Sequence, residues 1–253
     1  MEWIQNTWAP GRQLTNPIGS KHASRLLPGA ILLLAMACLP SPRPIPSVLM
    51  SDFRPPETEM VQPDGYPPLY KWMLAPNLEP AHWLGARVSG KELVEPLNVV
   101  IVDRLSKNPE DARRTLEGAL AQAGFPMRVG HSSGYFAFLD GRLQPQFPAS
   151  PHRAFSNEPF EFPNDHGRVF GPVFMAGRFV FVAGFSREGI SPMGKVKHRY
   201  VSFNRARDRV ADRLDQRTAF KRNGFLDLRN VLAGDLAHTT GDHDGLAVVL
   251  ERF

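Results

Sequence analysis

The apolar pattern of this chain is clearest in its middle, where it predicts a strand followed by a helix. Residues 97–102 are apolar apart from Asn98 and rich in β-branched side chains, which is typical of a buried strand. Asn108 and Pro109 then have the residue types preferred at the N-cap and in the first turn of a helix. Apolar residues recur on one face of that helix until Gly124, which predicts its end: Ala112, Leu116, Ala119, Leu120 and Ala123.

The rest of the pattern predicts mainly strands. Residues 142–165, rich in Pro and Phe, predict a long irregular loop, and Asn204 is predicted to cap a second helix over residues 205–220. The order of these elements predicts an α+β fold, a two-layer sandwich of a mostly antiparallel sheet and two main helices. The predicted strands are residues 135–139, 168–175, 178–185, 196–203 and 246–250, with a hairpin turn at residues 176–177.

An apolar run near the start of the chain, residues 26–39, has the features of an export signal. It follows basic residues, precedes proline-rich sequence and, at 14 residues, is shorter than the ~20 that a helix needs to cross a bilayer. Residues 35–38 resemble a bacterial lipobox, in which the chain is cut before Cys38 and this cysteine carries a lipid. Ordinary cleavage of the Ala-x-Ala type at the same bond would instead leave Cys38 as a free terminal thiol. An uncleaved hydrophobic tether or a buried apolar segment is the remaining alternative. We expect residues 1–38 to be an export signal, with lipidation at Cys38.

Prolines dominate the next part of the chain. Because proline fixes its backbone and lacks an N–H donor, residues 39–90 are predicted to be an extended spacer that precedes a folded domain over residues 91–253. The residues of this segment expected to pack back on the domain are Tyr66, Tyr70, Trp72 and Met73.

Composition narrows the classes of partner. The single cysteine excludes a disulfide framework and a cysteine-based zinc site. The net charge of +5 favours anionic partners. In an exported protein these would be lipid headgroups or acidic glycans, so we expect a membrane contact through the lipid anchor and an anionic envelope ligand but no nucleic acid. A basic surface that only maintains solubility is the alternative.

Several short stretches between Asn98 and Asp208 together resemble the LssY carboxy-terminal domain family. The resemblance implies a bacterial, exported or membrane-linked domain of unassigned activity, and it implies no reaction. Glu188 stands near the acidic residue that the family has after Ser186, whereas one histidine of the family's pair is Asp165 here. The stretches are residues 96–100, 121–125, 133–142, 165–170 and 181–186, followed by His198 and by Arg207 with Asp208.

Two histidines and a group of charged residues are the candidate functional residues. His166 and His198 are the catalytic candidates, because imidazole moves protons near pH 7. The candidate binding residues are Arg168, Arg207, Asp208 and Glu188, since an arginine fork holds phosphate or carboxylate. The alternative is an internal polar network, in which Arg207 pairs with Asp208 or Glu188 and holds the second helix to the sheet.

Neither a metal nor a cofactor is expected. Residues 235–244 contain the candidate metal ligands His238, Asp242 and His243, but Gly241 predicts a turn, and turns favour aspartate for local hydrogen bonds. The usual sequence motifs of nucleophilic, phosphate-binding and zinc-dependent enzymes do not occur in the chain.

These observations predict an exported, membrane-anchored cell-envelope protein with a non-catalytic domain for binding or scaffolding. The alternative is an envelope hydrolase that acts on a phosphate- or carboxylate-bearing substrate. An enzyme would bring His166 and His198 to one cavity, whereas a structural network would bury them apart.

Overall fold

The structure is a computed structural model in which residues 52–147, 152–191 and 197–253 are described. The predicted export signal, Cys38 and the start of the predicted spacer lie outside these residues. In the described part there are two helices, α1 (Pro109–Gln122) and α2 (Phe203–Arg217), and one short 3-10 turn, Glu57–Glu59. The strands are β1 (Met60–Val61), β2 (Leu69–Tyr70), β3 (His82–Val88), β4 (Lys91–Val94), β5 (Val99–Asp103), β6 (Met127–Val129), β7 (Phe136–Leu139), β8 (Arg142–Phe147), β9 (Arg153–Ser156), β10 (Asn164–Met175), β11 (Arg178–Ser191), β12 (Lys197–Ser202), β13 (Lys221–Asp227), β14 (His238–Thr239) and β15 (Leu246–Arg252).

Most strands belong to one curled sheet of 12 strands. Its main path runs β1-β2-β7-β8-β10-β11-β5-β15-β13, while β12 pairs with β11, and β9 and β6 extend from β10. The pairs are antiparallel except that β5 and β15 run parallel. Strands β3, β4 and β14 form a second, small sheet. The prediction of an α+β fold with a mostly antiparallel sheet and two helices is confirmed at this level.

Helix α1 begins and ends as its local sequence predicts. Asn108 is the N-cap, and its side chain accepts a hydrogen bond of 2.8 Å from the backbone N–H of Asp111. Pro109 occupies the first turn, where its missing N–H is not needed. Gly124 has a φ of +90°, a conformation that a residue with a side chain adopts only under strain, so the helix stops there.

Helix α2 begins earlier than predicted. Its N-cap is Ser202, whose hydroxyl accepts a hydrogen bond of 2.9 Å from Arg205 N, so the prediction that Asn204 caps the helix is wrong. The carboxylate of Asp242 also accepts from Phe203 N at 2.8 Å. Serine and asparagine cap helices about equally well, and the end of β12 at Ser202 decides between them.

Both faces of the central strands β5, β11 and β15 are covered. On β5, Val99 and Ile101 pack with apolar residues of the two helices. Val100 and Val102 face the other way and pack with a second cluster that includes Leu69. Burial on both faces explains why this strand is a continuous apolar run and does not alternate.

The prediction of a spacer over residues 39–90 is wrong for residues 52–90. Within them Tyr70, Trp72 and Met73 are buried, as expected for side chains that pack on the domain, whereas Tyr66 is only partly buried. Trp83 is 2% exposed, and its indole N–H donates to Ser186 Oγ at 3.1 Å. The prolines are accommodated because β1 and β2 are only two residues long and need few backbone donors. The folded domain therefore begins well before residue 91.

The prediction of a long irregular loop over residues 142–165 is also wrong. Strands β8 and β9 and the start of β10 lie there. A proline such as Pro145 is unusual inside a strand. Here Pro145 lies opposite Phe136 of β7 on one side, and on the other side β10 pairs only with Gln146 and Phe147 of β8. At Pro145, β8 thus has a paired neighbour on one side only, where a proline is tolerated.

Candidate functional site

Three neighbouring strands bring polar side chains to one face of the large sheet. Asn164, His166 and Arg168 alternate along β10 and therefore share a face. On β11, Glu188 lies opposite Asn164 in the strand register. His198 of β12 lies opposite the residue two positions after Glu188, which places it on the same face.

Gly167 allows β10 and β11 to pack closely at this point. A Cβ added to it would lie 2.4 Å from two ring atoms of Phe185 and 2.7 Å from the carbonyl oxygen of Gly184. The Phe185 ring belongs to the core under the helices, on the face opposite to the polar residues. Because Gly167 has no side chain, the Phe185 ring can pack directly against β10, on the face opposite to His166 and Arg168.

Three imidazoles and one carboxylate converge on this face, and we call His131, His166, His198 and Glu188 the buried histidine cluster. His131 comes from the loop after β6, and its ring stacks on that of His166 with the centroids 4.7 Å apart. One nitrogen or oxygen atom from each of His131, His166 and Glu188 lies within 4.8 Å of the other two. His198 Nδ1 lies 3.1 Å from Glu188 Oε1. The exposed fractions are 2% for His131, 5% for His166 and 1% for Glu188.

Burial keeps these imidazoles neutral. Burial and, to a smaller extent, the positive charge of Arg168 together lower the pKa of His131 to about 4. Burial also lowers the pKa of His166 well below its ordinary value and, to a smaller extent, that of His198. A neutral imidazole keeps a nitrogen lone pair, which is the form that binds a metal ion.

The pKa of Glu188 is shifted in the opposite direction. Burial raises its pKa to about 7, against the influence of a hydrogen bond from Asn164 and the charge of Arg168. Asn164 Nδ2 donates to Glu188 Oε1 at 2.5 Å, and Asn164 Oδ1 lies 3.0 Å from His166 Nδ1. One asparagine side chain therefore orients two members of the cluster at once.

The cluster borders a small cavity that holds an unsatisfied polar atom. His131 Nε2 is buried and has no hydrogen-bond partner among the described residues. The cavity, about 20 Å³, is lined by His131, His166 and Glu188 together with the rings of Phe160 and Trp83. This is room for one water molecule or one ion and not for an organic substrate.

Arg168 lies at the side of the same cavity and is held by other groups. Its Nη2 donates to Ser132 Oγ at 2.9 Å, and its guanidinium lies over the ring of Tyr135 at 4.3 Å from the centroid. Its Nη1 lies 3.8 Å from Glu95 Oε2, and burial raises the pKa of that carboxyl while Arg168 lowers it. Arg168 thus affects the buried histidine cluster through its positive charge, which lowers the pKa values of His131, His166 and Glu188.

The structure brings together some of the residues singled out in the sequence and separates others. His166, His198, Arg168 and Glu188 meet at one place. Arg207 does not: it donates to Asp208 at 2.8 Å, to Asp244 at 2.5 Å and to the carbonyl oxygen of Leu246 at 2.9 Å. Arg207 therefore pairs with Asp208 within α2 and ties this helix to the start of β15, as in the internal network offered as the alternative.

The three candidate metal ligands in residues 235–244 do not share a site. His238 lies beside His82 and Glu92, on the small sheet. Asp242 accepts hydrogen bonds at the start of α2, including one of 2.5 Å from Ser202 Oγ. His243 is 4% exposed and its Nε2 lies 2.7 Å from Asn230 Oδ1.

His243 and Asn230 form an internal contact that predicts a pH dependence of stability. Burial lowers the pKa of His243 to about 4, whereas the unfolded chain has its ordinary value of 6.5. Between these values the unfolded state binds more protons, so stability falls as the pH falls from 6.5 to 4, by about 3 kcal/mol in total. Urea unfolding of wild type and His243→Gln should show their difference in stability shrinking by about that amount over this range. A difference that does not change with pH would contradict the assignment.

Sequence analysis missed His131 and Asn164 as members of the site. The available signal was the alternation of Asn164, His166 and Arg168 with the period of a strand. It was hidden because residues 142–165 were interpreted as a loop. His131 carried no such signal, since its position depends on how the loop after β6 folds over the sheet.

Comparisons with protein-family models, with curated proteins and with solved structures found no match for this chain. In the described residues, no helix combines the length and the apolar character that a membrane crossing needs.

Proposed function

We propose that this chain is an exported, membrane-anchored envelope protein whose domain binds one divalent transition-metal ion at the buried histidine cluster. The observation that carries the metal proposal is the convergence of the neutral imidazoles of His131 and His166 and the carboxylate of Glu188 on a cavity of ionic size. His198, whose Nδ1 lies 3.1 Å from Glu188 Oε1, would supply the fourth donor. Imidazole and carboxylate donors together suit zinc and the neighbouring first-row metals.

The donor geometry supports four-coordinate binding. Zinc lies about 2.0–2.1 Å from such donors, so tetrahedral ligand atoms stand roughly 3.4 Å apart. The candidate ligand atoms of His131, His166 and Glu188 are within 4.8 Å of one another. Side-chain rotations that move these atoms by about an ångström would bring them to the tetrahedral separation. Asn164 contacts both His166 and Glu188, as residues that orient metal ligands commonly do.

A purely structural network explains the cluster less well. Buried polar groups in a structural network normally have all their hydrogen bonds satisfied, because an unpaired group loses the stabilisation of water. His131 Nε2 has no partner in the described part of the chain, and an ion in the adjoining cavity would supply one. By contrast, the network of Arg207 pairs every charged group with a partner of opposite charge.

Binding is favoured over catalysis at this place. A hydrolase would need space for a phosphate- or carboxylate-bearing substrate beside the ion, and the cavity holds only about 20 Å³. Four residues that line the cavity are each at most 5% exposed: His131, His166, Arg168 and Glu188. For this reason we place hydrolysis by His166 and His198 second to metal binding as the function of the site.

The export part of the proposal is supported by the sequence. Basic residues, the apolar run of residues 26–39, Cys38 and a proline-rich stretch follow one another in the order typical of an exported lipoprotein. The resemblance to LssY carboxy-terminal domains and the net charge of +5, which suits anionic envelope ligands, point the same way. Within the proposal, the helices and the central sheet form the expected two-layer unit, and residues 52–90 close its second face.

One preparation tests both parts of the proposal. The full chain is produced in bacteria, its mature amino terminus is analysed by mass spectrometry, and zinc retained after gel filtration is measured. We expect Cys38 to be the lipid-bearing first residue, and Glu188→Gln to retain one zinc fewer than wild type. Glu95→Gln, a change at a buried carboxyl of the same cavity, is the matched control and should keep the zinc. An unprocessed amino terminus overturns the export part, and zinc retained equally by Glu188→Gln overturns the metal part.

A further inference from the structure

A second group of histidines and a carboxylate lies on the small sheet, away from the buried histidine cluster. Its members come from three adjacent strands: His82 from β3, Glu92 from β4 and His238 from β14. Glu92 and His238 are direct partners in the parallel pairing of β4 with β14. His82 lies opposite the residue two positions after Glu92 on the other side of β4. The sheet register therefore places the three side chains as neighbours.

The three side chains are close enough to share an ion. His82 Nδ1 lies 3.3 Å from Glu92 Oε2, and the rings of His82 and His238 have centroids 5.7 Å apart. One nitrogen or oxygen atom from each of the three lies within 4.8 Å of the other two. We propose that His82, Glu92 and His238 form a surface site for one divalent transition-metal ion, which we call the surface site.

Neighbouring residues orient the side chains of Glu92 and His238. Arg87 Nη2 donates to Glu92 Oε1 at 2.9 Å, which leaves Oε2 directed to His82. Asp235 Oδ1 lies 3.4 Å from His238 Nδ1, and the same carboxylate accepts from the backbone N–H of His238 at 2.7 Å. A carboxylate that contacts one ring nitrogen of a histidine commonly fixes the ring so that the other nitrogen binds a metal.

Exposure distinguishes the surface site from the buried histidine cluster. The side chains of His82, Glu92 and His238 are 34%, 41% and 40% exposed. They can rotate to the roughly 3.4 Å separations of a tetrahedral site without disturbing packed neighbours. With three protein ligands, the ion keeps a coordination position for water or an exogenous group.

The surface site lies beside a cavity that is large enough for a small molecule. His82 and His238 are part of the wall of a cavity of about 540 Å³, together with Tyr70, Trp72 and Val94. The buried histidine cluster has no comparable space, so a metal ion at the surface site is the one that solvent and small molecules reach.

Calorimetric titration of the EDTA-treated full chain with zinc tests the proposal. We expect two zinc equivalents in wild type. The variant His82→Gln should bind the second equivalent at least ~10-fold more weakly, since loss of a ligand costs no less than loss of a residue that orients one. His82→Gln combined with His238→Gln should bind one equivalent only. His152→Gln, a change at another exposed histidine, should bind two.

The two metal proposals fail in different ways. If the surface site is wrong, the His82→Gln, His238→Gln double variant binds as many zinc equivalents as wild type. If only the buried histidine cluster is wrong, wild type binds one equivalent, and the same double variant binds none. Circular dichroism of both variants should match wild type, because the substituted side chains are 34% and 40% exposed.

Discussion

Replacing His131 and His166 together with glutamine is expected to abolish tight zinc binding at the buried histidine cluster and the stabilisation that this zinc gives. The two side chains supply half of the proposed donors, so we expect the affinity to fall by more than ~100-fold, beyond the usual effect of residues that only orient ligands. At a free zinc concentration of 100 times the wild-type Kd, binding stabilises the folded state by about 2.7 kcal/mol. That amounts to a rise in Tm of roughly 5–10 °C for a domain of this size, which the variant should lack. Thermal unfolding with and without zinc measures the effect.

His243→Gln is the matched control for this experiment. It also changes a buried histidine, but His243 contacts Asn230 and lies outside the buried histidine cluster. It should lower Tm without zinc and still show the zinc-dependent rise. Equal zinc-dependent rises in wild type and in His131→Gln with His166→Gln would show that these residues are not ligands.

Replacing Arg168 with methionine is expected to destabilise the domain by about 3–5 kcal/mol. The substitution leaves the buried carboxyl of Glu95 without a positive neighbour, and breaking a buried pair from one side costs about this much. It also removes the hydrogen bonds to Ser132 and the contact with the ring of Tyr135. Urea unfolding at neutral pH measures the change in the free energy of unfolding.

A double-mutant cycle separates the charge pair from the lost packing. In the background of Glu95→Gln, the change Arg168→Met should cost at least ~1 kcal/mol less than in wild type, because no unpaired carboxylate is left behind. If the two changes are additive, Arg168 stabilises the domain through Ser132 and Tyr135 alone.

Local signals made some elements predictable from the sequence. Asn108, Pro109 and Gly124 fix the ends of α1 by interactions within a few residues, so that helix was recognised without knowledge of its neighbours. The apolar run of β5 likewise required only the burial of its own side chains. Elements whose conformation depends on distant partners were missed, among them β8, where a proline is tolerated because of the way its neighbours pair.

The site depended on contacts that no single stretch of sequence contains. His166 and Arg168 share a face of one strand, and that relation is visible in the sequence once the strand is recognised. The approach of His198 to Glu188 depends on the register of β11 with β12, and the approach of His131 depends on a loop. Arg207 has the same residue type as Arg168 but lies beside Asp208 and Asp244, which explains its different role.

The most direct test of the central claim is zinc X-ray absorption spectroscopy on the His82→Gln, His238→Gln variant loaded with one equivalent of zinc. In this variant the buried histidine cluster is the remaining proposed site. The account predicts four nitrogen or oxygen neighbours at about 2.0–2.1 Å and the outer-shell scattering of three imidazole rings. A spectrum with oxygen neighbours and no imidazole scattering would contradict it.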